Sequence, residues 1–450
     1  MSQRPTLLFV SPRFLFPANE GGKIRTSNIL RHMKGGAFRI VLAAPAPSDA
    51  SRFASDIESV CDSFVSWPAT PASMLRRVLA LADGHPVSVA TDASTAGSAA
   101  IAAALQDRPG VVLVDFIHGA VLAPDRIPGA SVLFTHNVEA EIFERHARVA
   151  TGLRRLVWRD QARKMARFEG DALRRFDRVI AVSARDADVL RSRYGLDRVD
   201  RIDTGVDLDF FRPEREPDHP RAQEGTVVFA GVMDSAANID GIEFLGDQVW
   251  PMVVRARPGA RAVIVGRNPP AALVAAARQR GLAWTFTGYV DDIRPHVASA
   301  HVFVIPLRVG SGTRIKAFEA MAMGRPVVST TVGVEGLDVE DGVHLLMADD
   351  PGAFAAAILR LLDDAELRSR LTQAARGLLE DRFSWSHVAQ QVEAICQRAL
   401  GGVAVASQDG RSCAHKVGHD GRGVGLVEGH SANGIAAANR APDPLQARAH

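Results

Sequence analysis

The residues best placed to do chemistry stand together in one stretch: Pro306-Leu-Arg-Val-Gly-Ser-Gly-Thr-Arg-Ile-Lys-Ala-Phe-Glu-Ala-Met-Ala-Met-Gly-Arg-Pro-Val-Val-Ser329. It follows an apolar run and opens a helical pattern. Gly310, Ser311 and Gly312 let the backbone approach a ligand closely. Unpaired amides at a helix start favour an anion. Arg314 and Lys316 put two cations in the same turn. Cations are disfavoured at a helix N-terminus, so their presence there points to a bound phosphate. Glu319, one turn on, could accept hydrogen bonds from a ribose diol. The competing reading is a glycine-rich turn with surface charges.

Two further loops carry glycine beside polar groups. Pro17-Ala-Asn-Glu-Gly-Gly-Lys-Ile-Arg25 places Gly21 and Gly22 at the start of a helix after the first strand, with Arg25 one turn in. Phe229-Ala-Gly-Val-Met-Asp-Ser-Ala-Ala-Asn-Ile-Asp240 places Gly231 after another strand. His136 closes the run Val132-Leu-Phe-Thr-His-Asn137, at the carboxyl end of an expected strand. A plain turn or a structural histidine competes with a functional reading at each. Metal ligation is not expected. Asp207-Leu-Asp209 falls in a connecting segment and Asp186-Ala-Asp188 in a helix, and neither is a D-x-D in a loop after a strand.

These residues need elements to hold them. Buried strands are expected at Leu7–Val10, Arg39–Ala43, Val111–Asp115, Ser131–Thr135 and Arg178–Val182. After a proline-rich, charged segment at 211–220 the alternation restarts with Thr226–Ala230, Ala262–Val265, Thr285–Thr287, His301–Ile305, Pro326–Ser329 and His344–Met347. Apolar runs separated by helices argue for parallel sheets covered on both faces. The fold class is therefore α/β, with two facing Rossmann-like doubly wound domains and a cleft lined by the carboxyl ends of both sheets. The expected boundaries are 1–205, with a returning helix at 383–400, then 206–382, then a disordered tail at 401–450. The tail has nine glycines and no aromatic residue, too little to offset chain entropy.

Composition narrows the function classes. The 450 residues carry a formal net charge of +2, so a whole-protein attraction to nucleic acid is not indicated. Three distant cysteines give no disulfide framework, and no stretch approaches the roughly 20 apolar residues of a membrane span. A cytoplasmic protein is the expectation. Between Arg145 and Arg178 eleven Lys or Arg face four Asp or Glu. That is a basic face for anionic lipid at the inner membrane surface, or a solvated helix face.

The run Thr313–Pro326 resembles the signature of family-4 retaining glycosyltransferases of the GT-B fold, and the resemblance extends over most of residues 5–400. It implies an enzyme that moves a sugar from a UDP- or GDP-type nucleotide sugar to a glycan or lipid-linked acceptor, without a metal or other cofactor. Glu319 matches the second acid of the family's E-x7-E pattern; the first would stand at Ser311, where no acid is present. The Arg and Lys that clasp the diphosphate in many members are replaced near Met233 and Asn238, which leaves that duty to Arg314 and Lys316. The G-x-M-D-x-x-x-N pattern resembles a subgroup linked to exopolysaccharide and exosortase (PEP-CTERM) clusters. Gly21 and Gly22 match the loop that closes over the diphosphate, His136 a histidine near the donor sugar, and Gly231 a position near sugar or phosphate. Asp203-Thr-Gly-Val-Asp207 resembles the family's hinge. Rivals are a nucleotide-sugar 2-epimerase and a non-catalytic sugar-nucleotide binder. A dinucleotide oxidoreductase lacks its early G-x-G-x-x-G.

Overall fold

Strands rich in Val, Leu and Ile, buried on both faces, build two parallel sheets in the computed structural model, which describes residues 4–18, 20–69, 73–213, 225–309 and 315–414. The first sheet has β1 (Thr6–Val10), β2 (Arg39–Ala46), β3 (Ser63–Pro68), β4 (Val111–Asp115), β5 (Ala130–Phe134), β6 (Arg178–Ala181) and β7 (Val199–Arg201), in the order β3-β2-β1-β4-β5-β6-β7. The second has β8 (Thr226–Ala230), β9 (Arg261–Val265), β10 (Trp284–Gly288), β11 (Val302–Ile305), β12 (Val327–Ser329) and β13 (Leu346–Met347), in the order β10-β9-β8-β11-β12-β13. Each order reverses once, at β1/β4 and at β8/β11. Helices peel to opposite faces at such a switch, which leaves a crevice beyond the strand ends.

The central strands follow their apolar runs closely: every residue of β4, β5 and β8 is buried. The edges depart from the sequence reading. β3 and β7 were not expected, because an edge strand pairs on one side only and needs no continuous apolar run. β3 keeps only Trp67 buried, and β7 reads Val-Asp-Arg. β13 is two residues long, shorter than His344–Met347. The long helix after β5 runs from Gly152 to Arg174.

The last helix, Trp385–Ala414, packs Trp385, Val388, Ala389, Val392, Ile395 and Cys396 into the core under the first sheet. It also corrects the expected tail, since it runs past residue 401. Gly401 and Gly402 disfavour a helix by roughly 1 kcal/mol each, but they do not stop one already nucleated, and no proline follows before Ala414. Residues 415–450 lie outside the described residues. The chain crosses between the sheets at Val206, whose amide donates to the Phe383 carbonyl at 2.8 Å.

Candidate functional site

At the second sheet's switch point, where β8 and β11 lie side by side, a cavity of about 640 Å³ opens. Phe229 and Ala230 from the end of β8, and Phe303, Ile305 and Leu307 along and beyond β11, form one wall. Ile315, Lys316 and Glu319 close it from the helix Ile315–Ala322. Spacing explains why these three face the cavity. They fall on one side of the helix, while Ala317, Phe318, Ala320 and Met321 are buried on the other, and the Phe318 ring meets Phe383 at 4.5 Å. The opposite wall comes from the first sheet's side: Gly21, Ile24 and Arg25 of the helix Gly21–Met33. The cavity therefore lies between the two sheets and is mixed in character: among the described residues it has an apolar floor, the cations Arg25 and Lys316, and the carboxylates Glu319 and Asp207.

Glu319 is half-buried. Burial pushes its carboxyl above the usual carboxylate range, and Lys316 beside it pulls the other way. Arg25 is held from behind. Its Nη1 donates to His136 Nδ1 at 3.2 Å, and Nη2 reaches Thr204 Oγ1 at 3.5 Å. Arginine can only donate, so His136 Nδ1 must be an acceptor. The ring proton then sits on Nε2, which donates to Asp115 Oδ1 at 2.7 Å. Thr26 donates to the other Asp115 oxygen at 2.8 Å. Desolvation lowers the His136 pKa, against the pull of Asp115, so the imidazole is held neutral. Burial also lowers the Arg25 pKa to about 10, which leaves its charge intact at neutral pH.

Not every expected site residue reaches the cavity. Gly21, Lys316 and Glu319 line it. His136 does not, and both its nitrogens are occupied, so it positions Arg25 and has no nitrogen left to exchange a proton with a ligand. Gly22 also serves packing. A Cβ there would strike the Phe116 ring at 2.5 Å, and that ring stacks on His136 at 3.9 Å. Phe116 holds φ at +57°, a strained backbone for a bulky residue, which aims its ring into this stack. Gly231 sits just outside, its Cα covered by Phe229 and Asn238. Gly310, Ser311, Gly312, Thr313 and Arg314 lie outside the described residues.

The hinge does more than connect the two halves: Gly205, Val206, Asp207 and Phe211 all line the cavity, together with Trp385. A side chain at residue 205 would collide with the Trp385 ring, so only glycine lets the crossing strand lie against it. Asp207 spends its carboxylate on the amides of Asp209 and Phe210. The Gly-Val-Asp motif was the available signal, but nothing local in it shows that a second chain crossing abuts it. In the loop after β8, Met233 is fully buried in the core and Asn238 donates to the Val232 carbonyl at 2.7 Å. That loop sends no cation from 231–238 into the cavity.

Comparison with known proteins agrees with this geometry. Residues 20–210 match the model for Glycosyltransferase Family 4, and residues 224–364 match that for glycosyl transferases group 1. A phosphatidyl-myo-inositol mannosyltransferase of Mycobacterium tuberculosis is 32% identical over 215 residues, 46% of this chain and 56% of the relative. A D-inositol 3-phosphate glycosyltransferase of Catenulispora acidiphila is 30% identical over 249 residues, 50% of this chain and 58% of the relative. The chain thus spans a little over half the length of these curated relatives. Among solved structures, sucrose-phosphate synthase from Thermosynechococcus elongatus superposes with a TM-score of 0.62 at 18% identity, covering 88% of this chain and all of that one. Anabaena Alr3699/HepE in complex with UDP gives a TM-score of 0.60 at 15% identity, covering 86% and 98%. With both sheets, the switch-point cavity and a glycosyltransferase model on each half, the chain has the GT-B fold, its residues 20–210 matching Glycosyltransferase Family 4 and its residues 224–364 the group 1 glycosyl transferases.

Proposed function

We propose that this protein is a retaining, metal-independent glycosyltransferase that passes a sugar from a UDP- or GDP-type donor to a glycan or lipid-linked acceptor. A cytoplasmic role in exopolysaccharide or cell-surface glycan synthesis fits that reading. The observation that carries it is the convergence of Glu319, Lys316 and Arg25 on one cavity between the sheets. Glu319 would accept from the ribose hydroxyls. Lys316 and Arg25, with Arg314 and the backbone of Gly310–Thr313, would stabilise the diphosphate as it leaves. Fixed cations and donors aimed at developing charge are the largest catalytic contribution open to such a site. Attack on the face the diphosphate leaves would retain the anomeric configuration and requires no protein base. The engagement of both His136 nitrogens supports that reading.

The test is calorimetric titration of UDP, GDP and the matching nucleotide sugars. Glu319→Gln should weaken every nucleoside diphosphate by roughly ten- to a hundred-fold, the loss of a charge-assisted acceptor. Ser311→Ala should leave free diphosphate binding intact and affect only the whole donor. Because burial raises the Glu319 pKa, acidification protonates it above the usual carboxylate range. Wild-type affinity should therefore fall more steeply than that of Glu319→Gln as the pH drops from neutral. Normal UDP and GDP binding in Glu319→Gln would overturn the assignment.

A second reading, a sugar-nucleotide binder without turnover, is favoured by the loop after β8, where buried Met233 and hydrogen-bonded Asn238 replace a cation pair. Donor hydrolysis separates the two. A binder holds the nucleotide sugar without releasing sugar, whereas a transferase releases it slowly to water.

A further inference from the structure

A second feature lies away from the cavity. Water meets large apolar side chains in two neighbouring places. One is the tip where the helix Glu139–Val149 turns through Ala150 and Thr151 into the helix Gly152–Arg174. It carries Val149, Leu153, Leu156 and Val157. The other is the short helix Met74–Leu79, with Met74, Leu75, Val78 and Leu79. Exposure there runs from 44% at Val157 to 82% at Leu153. Such side chains are unremarkable singly, but eight of them in two short segments call for a partner surface.

The two places are joined. On the long helix, Leu153, Val157, Asp160 and Lys164 follow one stripe at helical spacing. Lys164 bonds Asp160 at 2.9 Å and donates to the carbonyl of Leu81, just beyond the short helix, also at 2.9 Å. Gln161 accepts from the Val87 amide at 2.7 Å. The stripe thus leads from the end of the short helix out to the hairpin tip.

Charge selects the partner. Between residues 145 and 159 the chain carries Arg145, Arg148, Arg154, Arg155 and Arg159 and no acid. The arginines alternate with the exposed apolar residues. A protein-docking face concentrates apolar and aromatic residues at its centre and keeps few charges besides arginine. Five arginines with no acid among them, interleaved with aliphatic side chains, suit a bilayer interface, where apolar side chains enter the acyl boundary beside cations that meet headgroup phosphates. Beside the tip, His146, Thr151, Arg154 and Trp158 line a hollow of about 430 Å³, with the Trp158 and His146 rings stacked at 4.5 Å. A hollow of that lining can seat one phosphate headgroup.

We propose that the 145–159 hairpin tip, with the helix Met74–Leu79 that is tied to the same long helix through Leu81 and Lys164, docks this protein on an anionic bilayer by shallow insertion of its apolar residues between arginine–phosphate contacts. Only its purpose, access to a lipid-linked acceptor, rests on the transferase reading; the docking itself is independent of it.

The experiment uses the full chain and vesicles of phosphatidylcholine alone or with roughly one-quarter phosphatidylglycerol. Sedimentation should show binding to the anionic vesicles only, weakened about ten-fold or more between about 50 and about 300 mM salt as charges are screened. Trp158 fluorescence should shift to the blue on binding, since the other described tryptophans lie away from the tip. Arg154→Gln with Arg155→Gln should cost roughly five-fold in partitioning for each arginine removed. Leu153→Asp with Leu156→Asp should abolish binding. Both double variants should keep the wild-type melting temperature and UDP or GDP affinity in the absence of lipid, which shows that they fold. Wild-type protein that ignores anionic vesicles overturns the proposal. So does self-association in sedimentation velocity that the same substitutions abolish, which would assign the face to a second copy. Loss of nucleotide binding in the wild type would instead sink the transferase reading and leave the docking result standing.

Discussion

His136 shows how a residue's role is set by what occupies its two nitrogens. It accepts from Arg25 and donates to Asp115 while stacked on Phe116 and tilted against Phe134. A phenylalanine there would keep the stacking and lose both hydrogen bonds. His136→Phe should therefore leave one Asp115 oxygen buried without a donor, costing about 1–3 kcal/mol of stability. Arg25 would lose its anchor as well. Affinity for a nucleoside diphosphate should fall by about ten-fold, while affinity for the nucleoside alone stays near wild type, because Arg25 serves the phosphates. Urea unfolding and calorimetric titration check the two halves. Equal losses for nucleoside and diphosphate would mean that His136 shapes the whole cavity rather than Arg25.

Among the elements, the helix Glu139–Val149 starts without a capping side chain of its own. Glu169, toward the C-terminal end of the long helix that follows it, supplies the acceptor. It takes the amides of Glu139 at 2.8 Å and Ala140 at 3.2 Å, and the Tyr194 hydroxyl at 2.6 Å. Burial pushes the Glu169 pKa up to about 6, against those three donors. The folded state thus binds a proton that the unfolded chain, with an ordinary glutamate, releases between about pH 4.5 and 6. By linkage this group's contribution rises as pH falls through that window and is smallest at neutral pH. Glu169→Gln removes the titration. Relative to the variant, wild-type stability should gain roughly 2 kcal/mol on acidification from pH 7 to pH 4.5. Urea unfolding at several pH values reads this directly; parallel pH profiles for the two proteins would refute it.

For the molecule as a whole, the last helix ties the chain's end to its beginning. Its residues Trp385 to Ala399 complete the core beneath β1 and β2, and Arg398 pairs with Asp200 at 2.8 Å. Trp385 also lines the cavity and backs the hinge at Gly205. A chain ending after Gly402 should keep its melting temperature within a few degrees and bind nucleotide normally. A chain ending after Ser384 loses the buried side chains of Trp385, Val388, Val392 and Ile395, at about 1.5–3 kcal/mol each. That sum approaches the whole stability of a typical domain, roughly 5–15 kcal/mol, so this shorter chain should not fold cooperatively. Calorimetric melting of the two truncated forms decides the point.

The sequence by itself determined what local patterns can carry. β1, β4, β5, β8 and β11 are apolar runs because both their faces are covered, and Glu319 falls one turn beyond a glycine-rich loop, a spacing internal to one helix. Edge strands such as β3 and β7 left no such trace, since a strand paired on one side tolerates polar residues. The tertiary structure alone decided which distant residues meet. It set His136 behind Arg25, 111 positions away in the chain, and brought Trp385 against Gly205. It turned Gly22 from a ligand-facing position into a seat for the Phe116 ring. It also left Leu153 and Leu156 uncovered on a helix whose other face is buried. Periodicity tells which residues share a face, but whether that face finds a neighbour depends on how far the rest of the chain reaches around it.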